Sequence, residues 1–269
     1  RRAVLTASGM GPCCQGRRYR AGVRQLLPEP AEPVDPFEAH ARAERPAPAG
    51  RPWIAGNMVT SIDGAVAVAG RSEPLGSDAD HATFRAIRAV ADVIIAAGGT
   101  VRAESYGPPK PSEAVREARL ARGQAERPRM AVVSGSLDLD VTGAFFSEAW
   151  EPPLVYTASS APSDRLAALR AVADVQVVGS DQVDLAAMAH HLGSLGVRCA
   201  IVEGGPTLNG HLFDADLIDE LNLTLAPLLV GGDSPRAVSG AGEHPRRFAL
   251  AHLWESDGSL LARYTRIDR

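Results

Sequence analysis

The stretch Ala200-Ile-Val-Glu-Gly-Gly-Pro-Thr-Leu-Asn-Gly-His-Leu-Phe213 decides how the chain is read. Its apolar run, Cys199 to Val202, predicts a buried strand ending in an acid, Glu203. Two glycines follow, and a helix-like pattern opens at Pro206 and Thr207. Strand, tight turn and helix start make a βα unit. The first N–H groups of a helix have no partner inside it and carry partial positive charge, so such a start favours phosphate. Lacking side chains, Gly204 and Gly205 let a phosphate approach the main chain closely. Gly-Gly by itself is more often the mark of an ordinary βα turn, so the flanking segments must arbitrate.

Two other segments end predicted strands with unusual chemistry. The strand Val93 to Ala97 runs into Gly98-Gly-Thr-Val101, and the strand Trp53 to Thr60 closes on Ser61-Ile-Asp-Gly64, a turn by composition. Between them, Asp78 to Ala91 predicts a helix with Phe84, Ile87 and Val90 as its apolar positions and Asp78 or Asp80 near its start. Further on come an exposed helix over 112–123, strands at Met130 to Ser134 and Leu154 to Thr157, and helices capped by Asp164 and Asp184. Leu221, Leu223 and Leu225 alternate with Asn222, Thr224 and Ala226, as in a half-buried strand. Phe248 to Glu255 and Leu260 to Ile267 flank Ser256-Asp-Gly258 and predict a terminal hairpin. Strands alternating with helices, then strands alone, indicate an α/β fold with a mostly parallel sheet and an antiparallel edge.

The chain has 269 residues, 45% of them hydrophobic, with net charge −4 and pI near 6.0, so no basic field points to nucleic acid. Its apolar runs are too short for a membrane span. The three cysteines, Cys13, Cys14 and Cys199, give neither a disulfide framework nor paired zinc spacing, and a reducing cytoplasm is the expectation. His190 and His191 are adjacent and cannot share a helix face as metal ligands, so no metal is expected. Arginines crowd the first twenty-odd residues without an apolar segment behind them, unlike a signal peptide. From Pro28 to Pro52 the composition is Pro, Ala, Glu and Arg. Residues 1–50 therefore read as a poorly structured arm, with a short helix near Pro36, and residues 51–269 as one folded unit.

In open α/β sheets, ligands bind beyond the carboxyl ends of the strands. The two Gly-Gly segments suit main-chain contact with a pyrophosphate, although neither is a GxGxxG. Asp63, Glu104 and Glu203 are carboxylates beside these turns, able to accept hydrogen bonds from a substrate or to move protons.

At these residues the chain resembles the reductase domain of the bifunctional riboflavin-biosynthesis protein and its stand-alone bacterial relatives. The resemblance runs from about Arg51 to Arg269 and rests on Ser61-Ile-Asp-Gly64, on Asp92-Val-Ile-Ile-Ala-Ala-Gly-Gly-Thr-Val-Arg-Ala-Glu104, on Val132-Val-Ser134, on Val202-Glu-Gly-Gly-Pro-Thr-Leu208, and on the stretch from Leu217 to Gly231. It implies a dihydrofolate-reductase-like fold, with a mostly parallel sheet flanked by helices and an antiparallel C-terminal hairpin. It also implies a homodimer and reduction of a ribosylamino-pyrimidine 5′-phosphate by NADPH, with hydride passing to sugar C1′. Carried over residue by residue, it implies that Val59, Thr60, Gly98, Gly99, Thr100, Glu104 and Ser134 hold the cofactor, together with Gly204, Gly205, Pro206, Thr207 and Leu208. Ser61, Ser72, Arg88 and Glu203 would contact substrate, and Asp63 would be the catalytic group at the pocket floor. Ala65 stands where these enzymes usually carry a cation, so the substrate half departs from the pattern. Two other readings stay open: an NADPH-dependent dihydrofolate or pterin reductase, and an idle NADP-binding module.

Overall fold

The computed structural model describes residues 22–31, 33–104 and 106–267. The arginine-rich leader, Cys13 and Cys14 lie outside the described residues. In chain order the elements are β1 (Arg24–Leu27), α1 (Pro36–Arg42), β2 (Trp53–Thr60), a 3-10 turn (Glu73–Leu75), α2 (Asp78–Val90), β3 (Val93–Ala97) and α3 (Gly98–Ala103). Next come α4 (Glu113–Ala121), β4 (Arg129–Val133), α5 (Ala144–Ser147), β5 (Leu154–Thr157), α6 (Ser163–Arg170), β6 (Asp174–Val177) and α7 (Leu185–Ser194). The chain closes with β7 (Cys199–Val202), α8 (Pro206–Asp214), β8 (Glu220–Leu225), β9 (Phe248–Ser256) and β10 (Ser259–Arg266).

All ten strands join one sheet in the order β1-β9-β10-β8-β2-β7-β3-β4-β5-β6. From β8 to β6 the neighbours are parallel, and β8, β10, β9 and β1 pair antiparallel. This is the expected α/β architecture with its terminal hairpin. The hairpin turns on Asp257 and Gly258, both at positive φ (49° and 81°), the conformation a two-residue loop needs to match strand twist. Strand β2 lies at the centre, between β7 and β8, so the carboxyl ends of β2, β7 and β3 open on one rim.

One face of the parallel sheet packs on α7 and α8 through Met188, Leu192, Leu208 and Leu212. The other packs on α2, α5 and α6 through Ile87, Phe145 and Leu169. Ser77 caps α2, its Oγ accepting from Asp80 N at 3.2 Å, and Asp184 caps α7 as expected. Asp164 does not cap its helix: Pro162 precedes the first turn, and Asp164 lies inside it. Nor does a turn separate β3 from α3, because Gly98 and Gly99 are already helical.

Two departures lie in the polar pattern. The stretch before Trp53, read as an arm, supplies β1, which pairs with β9, and α1, whose Ala39 packs with Val23, Ala79, Trp254 and Leu261. Strand β8 alternates as expected, but its buried side is the polar one: Glu220, Asn222 and Thr224 point inward, while Leu221, Leu223 and Leu225 are only half-buried. Glu220 accepts from Arg45 at 3.0 Å, Arg263 at 2.8 Å, Trp53 Nε1 at 3.2 Å and Asn222 at 2.9 Å, which satisfies a carboxylate that burial would otherwise penalise.

Candidate active site

A cavity of about 810 Å³ opens at the rim where β2, β3 and β7 end, within the range of small-molecule sites. One wall is made of Ala97, Gly99 and Thr100 at the start of α3 and of Gly204, Gly205, Pro206, Thr207 and Leu208 at the start of α8. Gly205 is the N-cap of α8 and offers no side-chain cap, and Pro206 has no N–H, so the Thr207 and Leu208 amides are the donors at the start of this nine-residue helix. Gly204 has φ +87°, a conformation that suits glycine, and the Gly204–Gly205 peptide is cis. A Cβ on Gly205 would stand 3.2 Å from Thr100 Oγ1, closing the gap between the two helix starts. The residues thus leave main chain exposed where a pyrophosphate would lie, and the donor set fits a dinucleotide.

A second wall comes from α2. Asp80, Phe84 and Arg88 stand at i, i+4 and i+8, one face of a helix, and all three line the cavity beside His81. Arg88 reaches across to Glu203 at the end of β7, with Nε to Oε1 at 2.7 Å and Nη2 to Oε2 at 2.6 Å. The Tyr106 hydroxyl also donates to Glu203, and the Arg88 guanidinium lies 4.1 Å from the Phe84 ring centroid. Burial alone would lower the Arg88 pKa, but Glu203 and Tyr106 outweigh it and raise it; burial and Glu203 raise Tyr106.

Of the residues expected at the site, Val59, Ser72, Arg88, Gly99, Thr100, Glu104, Glu203 and the run from Gly204 to Leu208 border this cavity. Several do so with partners of their own. Glu104 Oε1 accepts from Ser72 N at 2.9 Å and Ser72 Oγ at 3.1 Å, tying α3 to the loop before α2.

Other expected residues make contacts of their own outside the lining of this cavity. Thr60, Ser61, Asp63, Gly98 and Ser134 are not among the residues lining the cavity. Asp63, expected at the pocket floor, accepts from Ser61 Oγ at 2.5 Å and from Gly231 N at 2.7 Å. The Ser61 hydroxyl, and then the amides of Gly231 and Val230, hold its carboxyl at about 2. It therefore pins the loop after β8 and is poorly suited to donate a proton. Gly98 is explained by packing: a Cβ there would meet Ser134 Oγ at 2.9 Å. Ser134 is itself buried, and its hydroxyl accepts from Leu137 N at 3.0 Å.

Asp80, Phe84 and Tyr106 were absent from the sequence-derived site. The four-residue spacing of Asp80, Phe84 and Arg88 was a usable signal for the first two. Tyr106 follows a helix end in a Gly-Pro loop, and nothing local shows that it folds back onto Glu203, 97 residues later.

The family model described as the RibD C-terminal domain matches residues 52–261. The chain belongs to this family of reductase domains. It is 30% identical over 192 residues to the 2,5-diamino-6-ribosylamino-4(3H)-pyrimidinone 5′-phosphate reductase of Archaeoglobus fulgidus, covering 71% of this chain and 87% of that one. The reductase of the same name from Methanothermobacter thermautotrophicus is also 30% identical, with 71% and 86% covered. Among solved structures, a pyrimidine reductase-like protein from Corynebacterium diphtheriae superposes with TM-score 0.78 at 25% identity, over 88% of this chain and 100% of that one.

Proposed function

We propose that the protein is an NADPH-dependent reductase of a ribosylamino-pyrimidine 5′-phosphate that converts the ribose to a ribityl chain. The observation that carries this reading is the pairing of family membership with the glycine-lined gap between α3 and α8 at one cavity. When bound, the dihydronicotinamide would supply a hydride to sugar C1′. The protein's part is to hold the two reactants within about 3–3.5 Å and to exclude water. Gly204 and Gly205 give the pyrophosphate access to backbone, and the uncapped start of α8 favours its charge. Val59, at the end of β2, would flank the nicotinamide; Ser72, Arg88 and Glu203 would face the substrate as a rigid polar wall.

Preference for NADPH over NADH is supported by two guanidiniums beside the loop after β4. Arg102 Nη1 donates to Asp138 O at 2.8 Å and Arg165 Nη1 to Ser136 O at 3.1 Å, both on the surface next to Ser134. The Asp138 carboxylate lies 3.7 Å from each guanidinium, which leaves one net positive charge at this loop to meet a 2′-phosphate.

The homodimer reading is supported by the open side of the antiparallel strands. Leu223 and Leu225, with Leu250, Leu253 and Leu260 on the neighbouring strands, form a partly exposed apolar face, and Leu221 at its edge packs beside Leu212 and Phe213 of α8. Leu223→Glu would leave monomers in size-exclusion chromatography. A cytoplasmic location accords with a requirement for NADPH, and no described helix is long and apolar enough to cross a membrane.

The test is spectrophotometric: oxidation of NADPH with the ribosylamino-pyrimidine 5′-phosphate as acceptor, and recovery of a ribityl product.

A further inference from the structure

We infer that Asp80 is the acid that delivers a proton to the sugar ring oxygen during the reduction, a role that rests on the substrate reading above. Asp80 lies in the first turn of α2 and lines the cavity, one helical turn before Phe84 and two before Arg88. The Thr224 side chain on β8 lies beside it and pulls its carboxyl's pKa down. The loop before α2 presses against it: a Cβ on Gly76 would stand 3.4 Å from Asp80 Oδ2 and 2.8 Å from His81 Nε2.

The other carboxylates near the site are engaged elsewhere. Glu203 is held by Arg88 and Tyr106, Glu104 by Ser72, and Asp63 by the loop at residues 230–231. Glu73 lines the cavity too but is exposed and lies beside Arg71. The charged and titratable groups sharing the cavity with Asp80 are therefore His81 on its own helix, Glu73 on the preceding turn, Glu104 on α3 and the Arg88–Glu203–Tyr106 cluster. Strand β8 contributes the uncharged Thr224. Burial raises the Asp80 pKa, and the opposing pulls of Thr224 and His81 are smaller. A carboxyl raised in this way keeps more of its protonated form near neutral pH, as a general acid requires.

Reduction at C1′ requires the ribose ring to open. The C1′–O4′ bond breaks, and O4′ takes the proton from the Asp80 carboxyl. The lone pair of the exocyclic nitrogen forms a C1′=N bond, and the resulting iminium keeps its N–H. The ionised Asp80 carboxylate then stands near that cation. C1′ accepts the hydride, which leaves a ribityl amine, and Asp80 regains its proton from solvent beside the exposed His81. One substrate, one hydride and one proton are consumed.

The test is a profile of kcat/KM against pH for the full chain with NADPH and the ribosylamino-pyrimidine phosphate. For the unaltered protein, activity should fall as pH rises through the Asp80 pKa. Asp80→Asn should lose about 100-fold or more and show no such limb, while its NADPH dissociation constant, read by fluorescence, stays within about twofold. Asp80→Glu should keep the limb at a reduced rate. Thr224→Val, which removes a group that holds the pKa down, should move the limb to higher pH. Should Asp80→Asn fail to fold, the last two variants decide the matter. An active Asp80→Asn with an unchanged limb overturns the assignment, as does a limb that Thr224→Val leaves in place. If the unaltered protein turns over the pyrimidine and these variants behave otherwise than stated, the assignment alone falls; no turnover at all brings down the substrate reading and this inference with it.

Discussion

Arg88 and Glu203 lie 115 positions apart, yet both nitrogens of one fork meet both oxygens of the other, at 2.7 and 2.6 Å. Helix α2 is thereby fastened to the end of β7, immediately before the two glycines. Glu203, expected as a substrate contact, is also the anchor that fixes where Gly204 begins.

Removing one partner of such a pair leaves a buried charge unmatched, which costs about 3–5 kcal/mol when burial is deep. The Glu203 side chain is 3% exposed and that of Arg88 14%. Glu203→Gln should therefore lower stability in urea by about 3 kcal/mol, and Arg88→Met combined with it should recover part of the loss. Equal stability of Glu203→Gln and the unaltered protein would show that the pair is not a structural clamp.

Gly205 tests the proposed cofactor wall. Gly205→Val places branched carbon where even a single Cβ lies 3.2 Å from Thr100 Oγ1. NADPH affinity should fall at least about tenfold, equivalent to 1.4 kcal/mol. Unchanged affinity by calorimetry would remove the gap between α3 and α8 from the binding site.

Arg102 and Arg165 test cofactor choice. Changing both to Ala should weaken NADPH by about tenfold or more, the range expected for charge-assisted contacts, and leave NADH nearly unaffected. A parallel loss for both cofactors would place the 2′-phosphate elsewhere.

The buried polar cluster around Glu220 sets the acid limit of the fold. Burial, and then Arg263, lowers His252 to about 4, while burial and Arg45 hold His40 well below its ordinary value. Both histidines bind protons more readily when unfolded, so stability should fall as pH drops from 6.5 towards 4. Burial would raise Glu220, but Arg45, Arg263 and Asn222 outweigh it and bring it to about 2, so its stabilisation is present above pH 4.5 and is lost as pH falls through 2. His252→Gln should flatten the upper part of this decline by about 3 kcal/mol at most. A thermal midpoint independent of pH between 7 and 4 would contradict this account.

Much of the architecture was legible because local chemistry and hydrophobic period agreed. Val93–Ala97 and Leu154–Thr157 were bounded correctly by their apolar runs, and Asp184 announced its helix. What escaped depended on partners far along the chain. Residues Arg24–Leu27 have no alternating pattern of note and become a strand only because β9 offers an edge. The buried face of β8 is polar because Arg45, 175 positions away, reaches Glu220. That Gly204 to Leu208 border the cavity could be read from the glycines and the helix start. Asp63 could not be placed, since an acid in a turn looks the same whether it faces a ligand or, as here, the amides of residues 230 and 231.

The most direct test of the account is absorbance at 340 nm with purified protein, NADPH and a ribosylamino-pyrimidine 5′-phosphate. Absorbance should fall steadily, matched mole for mole by ribitylamino-pyrimidine phosphate. No fall with this substrate, under conditions where NADPH is shown to bind, would contradict it.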